Sequence, residues 1–256
     1  MTVVGFTRPT QRIKDSMDEA RAMGLDVMAA PSLEILPGDD EEFKRLEASV
    51  TDGCVVVFGS STAVEQCQRF FGDRIGQVFQ GAKIVSIGPA TTKKLEAAGF
   101  SVDSVPEDYS SYGLVDLLKD EAAGRRVVIV RSDSGSDVLS DGLRAAGADL
   151  VSIASYKLKE VGMCPALLHL LLAVKRRQLD VMAFSSPMSA SSFIRHVEEH
   201  FGKERGDEYL RQIKIAAIGK PTSERLESLG FKPDIVPEKT TFHDMLQAIK
   251  DAFPEQ

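Results

Sequence analysis

Ile87-Gly88-Pro89-Ala90-Thr91 and, 131 residues later, Ile218-Gly219-Lys220-Pro221-Thr222 are two versions of one turn. Each opens a helix-like stretch that closes on Gly-Phe, at Gly99-Phe100 and Gly230-Phe231. Val105-Pro106-Glu107 and Val236-Pro237-Glu238 then follow at the same offset. Outward from these turns, Val57-Phe58-Gly59-Ser60-Ser61 matches Ala183-Phe184-Ser185-Ser186-Pro187, and Val4-Gly5-Phe6-Thr7-Arg8 pairs with Val128-Ile129-Val130-Arg131. The last pair leads to a second glycine each time, in Gly24-Leu25-Asp26-Val27 and Gly147-Ala148-Asp149-Leu150. Landmarks in one order with similar spacing identify a duplication of half-chain length.

Inside each copy the periodicity is that of an α/β protein. Val55 to Phe58, Lys83 to Ile87, Val127 to Val130, Asp180 to Phe184 and Lys214 to Ile218 are short apolar runs without polar alternation. Such runs suit strands buried on both faces of a parallel sheet. Helix-period segments lie between them, among them Thr91 to Ala98, Tyr112 to Ala123 and Ser191 to His200. Gly24, Gly99, Gly147 and Gly230 stand where a left-handed residue closes a helix. Strand, Ser/Thr/Gly loop, helix, glycine, strand is the grammar of a doubly wound sheet, so the expected fold is α/β with doubly wound, flavodoxin-like parallel sheets.

Composition narrows the function. The 256 residues are 43% hydrophobic and 27% charged, an ordinary globular balance with length for one large domain or two small ones. A net charge of −7 removes the basic footprint of a nucleic-acid-binding protein, so no nucleic-acid partner is expected. Cys54, Cys67 and Cys164 have neither even number nor metal-type spacing, which suits a reducing cytoplasm. The N-terminus lacks a basic stretch followed by an apolar one, so no signal peptide is expected. The most apolar run, Ala166 to Val174, is about half a membrane span and reads as a core-facing helix. The expectation is a soluble cytoplasmic protein with no membrane partner and, from its acidic charge, a monomer.

In doubly wound folds ligands bind beyond the carboxyl ends of the strands. Here those ends are Thr7-Arg8, Ser60-Ser61-Thr62, Gly88 to Thr91, Arg131 to Ser136, Ser185-Ser186 and Gly219 to Thr222. Nearly every one opens a helix with small or hydroxylated residues, whose unpaired amides and positive dipole end favour carboxylates. Taken singly, each hydroxyl is better explained as an N-cap; together they favour an anionic ligand. Arg8 and Arg131 hold equivalent repeat positions. Each is suited either to grip a carboxylate with a bidentate fork or to tie down a neighbouring loop carboxylate. No metal site is expected: His196-Val197-Glu198-Glu199-His200 fits a zinc-peptidase pattern, but it sits in a polar helix without a third ligand. No GxGxxG or GxxxxGK[ST] loop is present, and no cofactor is expected.

The ordered set Phe58-Gly59-Ser60-Ser61-Thr62-Ala63-Val64, Ile87-Gly88-Pro89-Ala90-Thr91, Val128-Ile129-Val130-Arg131, Ser155-Tyr156, Phe184-Ser185-Ser186-Pro187 and Ile218-Gly219-Lys220-Pro221-Thr222 resembles the uroporphyrinogen-III synthase family. The resemblance covers Thr7 to about Ile249. It implies two α/β domains joined by a two-stranded linker, with the active site in the cleft between them. The implied topology is crossed: residues 1–34 and 165–256 form an outer domain and 37–158 an inner one, with linkers at about 33–38 and 158–165. The implied substrate is hydroxymethylbilane, a linear tetrapyrrole with eight carboxylates. Loss of its terminal hydroxyl gives an azafulvene cation; a spiro intermediate then fragments and recloses with the last ring inverted.

By the same resemblance Tyr156 is the catalytic residue, assisting departure of the hydroxyl; the bland reading is a packed residue with its hydroxyl satisfied. Ser60, Ser61, Thr62, Thr91, Ser185, Ser186 and Thr222, with Arg8 and Arg131, are the substrate-binding candidates. The sequence departs from the family pattern at Gly59, where many relatives carry Thr, and at Lys220 before Pro221. The alternative is a non-catalytic two-domain binding protein or sensor for a tetrapyrrole or another anionic small molecule. Against it, the chain carries no helix-turn-helix segment and stops where one catalytic unit should. A flavin-binding flavodoxin-like protein is a further alternative, which colour on purification would reveal.

Overall fold

The computed structural model describes residues 1–254. In chain order the elements are β1 (Val3–Pro9), α1 (Ile13–Ala22), β2 (Asp26–Pro37), α2 (Asp40–Ser49), β3 (Val55–Phe58), α3 (Ser61–Phe71), α4 (Ile75–Val78), β4 (Lys83–Ser86), α5 (Pro89–Ala97) and α6 (Ser111–Leu118). They continue with β5 (Arg126–Ser132), α7 (Val138–Ala145), β6 (Asp149–Glu160), α8 (Pro165–Lys175), β7 (Val181–Phe184), α9 (Pro187–Phe201), α10 (Lys203–Leu210), β8 (Lys214–Ala217), α11 (Lys220–Ser228) and α12 (Phe242–Ala252). The chain divides into two compact units: unit 1 is Met1–Ile35 with Lys159–Gln256, and unit 2 is Leu36–Leu158.

Unit 2 holds strands in the order β4-β3-β5-β6, all parallel. Val55 to Phe58 are buried on both faces, which is why that run carries no polar residue. One face packs Val55, Val57 and Ile129 against Leu114 and Leu118 of α6 and Leu139 and Leu143 of α7. Aromatic contacts build up the rest: Phe58 lies edge-on to Phe79 at 5.4 Å, and Phe43 stacks on Phe70 at 4.4 Å. Each such buried side chain contributes roughly 1.5–3 kcal/mol of burial free energy.

Unit 1 repeats the plan with β2-β1-β7-β8, again parallel. Met182, Phe184 and Ile215 face the helices α8, α9 and α11, while Val4, Phe6 and Val181 face α1 and α12. A parallel bridge extends each sheet past its outer strand, Val85 to Ser104 in unit 2 and Ala216 to Ile235 in unit 1. Counted over full strands, each unit has the flavodoxin-like order 2-1-3-4, with its switch point beside the first strand. The helix ends match as well: Gly99 and Gly230 both adopt φ +87°, the left-handed C′ conformation that a side chain resists.

Of the two stretches read from the sequence as short linkers, the first is largely extended strand and the second begins as one. Leu33–Pro37 completes the twelve-residue β2, and β6 runs on to Glu160, leaving only Val161 to Cys164 irregular before α8. Pro31 is accommodated in β2 opposite Arg8, and Pro37 ends the strand.

Candidate active site

In unit 2, β3 and β4 lead into α3 and α5, which pack together, whereas α6 and α7 pack together on the core formed around Leu114 and Leu143. The connections after β3 and β5 therefore diverge, and a crevice opens beyond their carboxyl ends, as doubly wound folds require. Ser60 is the extended N-cap of α3, its Oγ accepting the Ala63 N–H at 3.1 Å. The same Oγ lies 3.0 Å from the Tyr156 hydroxyl, with either oxygen able to donate. Tyr156 comes from β6, is 8% exposed, and stands opposite Ser132 where the β5–β6 register shifts. A cavity of about 90 Å³ lies here, lined among others by Gly59, Ser111, Arg131, Ser132, Ser136 and Tyr156.

Arg131 is tied to its own loop without a close carboxylate. Its Nε donates to Ser152 Oγ at 3.2 Å, one η nitrogen donates to the Ser136 carbonyl, and the other lies 3.6 Å from the exposed Asp137. The residue ties down the 132–137 loop while its charge stays only loosely answered. Gly135 and Gly59 make room for it: a Cβ at Gly135 would meet Arg131 Cδ at 2.9 Å, and one at Gly59 would meet Arg131 Cβ at 3.3 Å. A β-branched residue at 59 would crowd that arginine, which accounts for the glycine here.

The corresponding place in unit 1 carries a second serine cap. Ser186 Oγ accepts the Ser189 N–H, and Ser189 Oγ accepts the Ser186 N–H, both at 3.1 Å, a capping box. Arg8 lies beside it in sequence register: its Nε donates to Ser16 Oγ at 3.1 Å and its guanidinium carbon sits 4.6 Å above the Phe242 ring. Among the described residues Arg8 has no carboxylate partner. Burial first, then the neighbouring charge of Arg12, pushes its pKa down to about 10, with Glu19 opposing.

The remaining expected ligands separate into two groups. Ser61, Ser185 and Ser186 are partly exposed at their helix starts, and Thr62 is 8% exposed. Thr91 and Thr222 turn inward, 3% and 1% exposed. The hydroxyls next to them, Thr92 and Ser223, bond back to the carbonyls of Gly88 and Gly219 at 3.2 Å. Those turns thus consume their own hydroxyls. Among the described residues no group of three His, Cys, Asp or Glu is placed to hold a metal ion, and no helix is long and apolar enough to cross a membrane. His196, half of the peptidase-like pattern, is 6% exposed in the unit 1 core. Ser111 had no place among the predicted ligands, and Ser132 and Ser136 entered only within the Arg131 to Ser136 strand end. The sequence signal for Ser111 was its position just after the Val-Pro-Glu landmark, beside the cap Ser110.

A crevice with a serine-bound tyrosine, an arginine and no metal cluster is chemistry that many enzymes share; the comparison with known proteins decides among them. The family model described as "Uroporphyrinogen-III synthase HemD" matches residues 15–247. The chain belongs to the uroporphyrinogen-III synthase family. A Methanothermobacter thermautotrophicus protein provisionally named for that activity is 29% identical over 252 residues, 96% of each chain. The uroporphyrinogen-III synthase of Chlorobaculum parvum is 26% identical over 98% of this chain and 99% of its own. Among solved structures, a uroporphyrinogen III synthase from Thermus thermophilus superposes with TM-score 0.68 at 19% identity, covering 98% of each chain. That likeness shows the shared fold.

Proposed function

We propose that this protein is a cyclising lyase that converts hydroxymethylbilane into uroporphyrinogen III. The observation that carries the reading is the Tyr156–Ser60 pair at the unit 2 switch point, in a chain whose family is established over most of its length. A phenol there can deliver a proton to the departing terminal hydroxyl. The C–O bond breaks, water leaves with that proton, and the azafulvene cation remains. The last pyrrole attacks through its substituted carbon, the spiro intermediate fragments, and reclosure on the other carbon inverts the ring, with loss of a proton. If Ser60 donates to the phenolate that is left, its own lone pair still accepts the Ala63 N–H, so the cap and the acid are held by one hydroxyl.

Proton transfer of this kind contributes typically 10²–10⁴-fold. Tyr156→Phe is therefore expected to lower kcat by about 100-fold without abolishing turnover, because orientation of the flexible bilane supplies a separate part of the rate. We assign carboxylate contacts to Arg8 and to the partly exposed hydroxyls Ser61, Ser185 and Ser186, leaving the Ser60 hydroxyl to Tyr156 and the Ala63 amide. Arg8 is favoured by its unpaired charge; Thr91 and Thr222 are left to structural roles. We further propose a cytoplasmic, monomeric protein, consistent with the net charge of −7.

The test feeds freshly generated hydroxymethylbilane to the purified protein, oxidises the product and separates the uroporphyrin isomers. Predominantly type III product is expected. Type I alone, as in the protein-free control, would overturn the reading.

A further inference from the structure

The duplication allows the two switch points to be laid over each other, and they differ in one respect that bears on binding. β1 and β5 are both seven residues long, 123 residues apart, and both shift register at the last residue, Pro9 in one and Ser132 in the other. β2 and β6 are both twelve residues long at that same offset, so Leu33 in unit 1 holds the place of Tyr156 in unit 2. α6 and α12 begin 131 residues apart behind equivalent caps, Ser110 and Thr241, each accepting from the third residue on. Ser111 and Phe242 are consequently counterparts.

Their surroundings diverge. In unit 1 the Phe242 ring lies 5.5 Å from Phe6, edge to face, and beneath the Arg8 guanidinium, while Leu33 is 1% exposed. The room beside the arginine is filled with hydrocarbon. In unit 2 the matching positions carry Ser111, Ile129 and Tyr156, and the cavity of about 90 Å³ opens beside Arg131. That is room for about three waters at roughly 30 Å³ each. By that measure it holds a carboxylate with about one methylene, the end of an acidic arm, and not a substituted pyrrole ring. The lining suits such an arm. Ile129 and Leu139 offer apolar lining for methylenes, Ser111, Ser132 and Tyr156 offer polar lining, and the Arg131 guanidinium beside them has the exposed Asp137 at 3.6 Å as its ion-pair partner.

We propose that the unit 2 cavity is the seat of one carboxylate-bearing arm of the substrate, that Ser111 is its specificity-determining residue, and that Phe242 closes the counterpart in unit 1. The proposal rests on the substrate class inferred above, and it makes the two copies unequal: one receives an acidic arm in a pocket, the other offers a half-buried Arg8 packed over the Phe242 ring.

The probe is propionate, titrated into the isotopically labelled full chain and followed by amide chemical shifts. Wild type is expected to show saturable shifts centred on residues 111–113 and 132–136. Ser111→Phe, which installs the ring of the counterpart, is expected to weaken that binding at least about tenfold, while Ser111→Ala retains it. Should Ser111→Phe fail to fold, Ser111→Val asks the same question with less bulk, and an affinity lost about tenfold supports the seat. Unchanged propionate affinity in the folded bulky variant, or shifts that centre on Arg8 instead, would overturn it. The activity stands or falls separately: wild type that makes no type III isomer yet binds propionate here would refute the enzyme reading and leave the seat. Normal turnover without propionate shifts in this loop would do the reverse.

Discussion

Ser60 and Ser186 are twin caps that differ in one neighbour, and this difference can be measured as a free energy. Both accept an amide N–H at 3.1 Å, but only Ser60 also bonds a tyrosine, because the counterpart of Tyr156 is Leu33. Replacing an N-cap serine by alanine costs about 1 kcal/mol. The hydrogen bond to a phenol adds about 1 kcal/mol net. Ser60→Ala should therefore destabilise by about 2 kcal/mol and Ser186→Ala by about 1. In a double-mutant cycle, Ser60→Ala and Tyr156→Phe should couple by about 1 kcal/mol, since either change alone breaks the shared bond. The assay is urea unfolding by far-UV circular dichroism and tyrosine fluorescence. The chain has no tryptophan, and Tyr109, Tyr112 and Tyr156 of its four tyrosines lie in unit 2, so the emission weights that unit. Equal losses for the two serines together with a coupling energy near zero would refute the argument that one hydroxyl serves both cap and phenol.

Arg8→Met should leave stability level or raise it, since a half-buried charge without a carboxylate partner is replaced by an apolar chain of similar length, and should raise KM for the bilane. Because burial lowers the Arg8 pKa to about 10, the unfolded chain holds that proton more tightly. The stability gained from this group thus rises only above about pH 10 and is flat near neutrality, where pH-dependent melting checks it. Arg131→Gln should cost about 1–2 kcal/mol by releasing the Ser136 carbonyl, and amide exchange over residues 133–138 should quicken. Gly38→Ala should cost about 1–3 kcal/mol, because the new Cβ would come within 2.7 Å of the Ser155 carbonyl carbon, which is backbone and cannot turn aside; thermal melting reads it. Leu143→Ala, at a fully buried position in α7, should cost about 2–5 kcal/mol by the same measurement.

The strands that were legible are those whose burial is uniform. Val55 to Phe58 reads as a strand and is one, because both faces of the sheet are covered and no polar residue interrupts the run. β2 and β6 were not legible over their full length, since Pro31, Ser32 and Glu34 in the one and Lys157 and Lys159 in the other break the apolar pattern. α10 was missed too: Lys203–Leu210 buries only Gly206 and Leu210, too sparse a stripe to stand out. At the site, Ser60 and Tyr156 could each be picked out, but not their contact, which joins residues 96 positions apart and depends on strand order. The inward turn of Thr91 and Thr222 depends on how α5 and α11 are rolled against the sheet, which spacing alone does not fix. The contrast between Ser111 and Phe242 was present in the repeat offset; what the sequence lacked was the knowledge that both stand beside an arginine.

The division of the chain has a consequence for its synthesis. Unit 2 is one uninterrupted segment, Leu36–Leu158, whereas unit 1 is assembled from both ends of the polypeptide. β1 lies between β2 and β7 in its sheet, so its second neighbour is roughly 170 residues downstream. At about 5–20 residues per second on a ribosome, β1 waits roughly 9–35 s with one edge unpaired while the whole of unit 2 emerges and has time to fold. An apolar strand left open that long is a hazard for association between nascent chains. The growing polypeptide therefore carries an N-terminal strand with one edge open to other chains until β7 arrives.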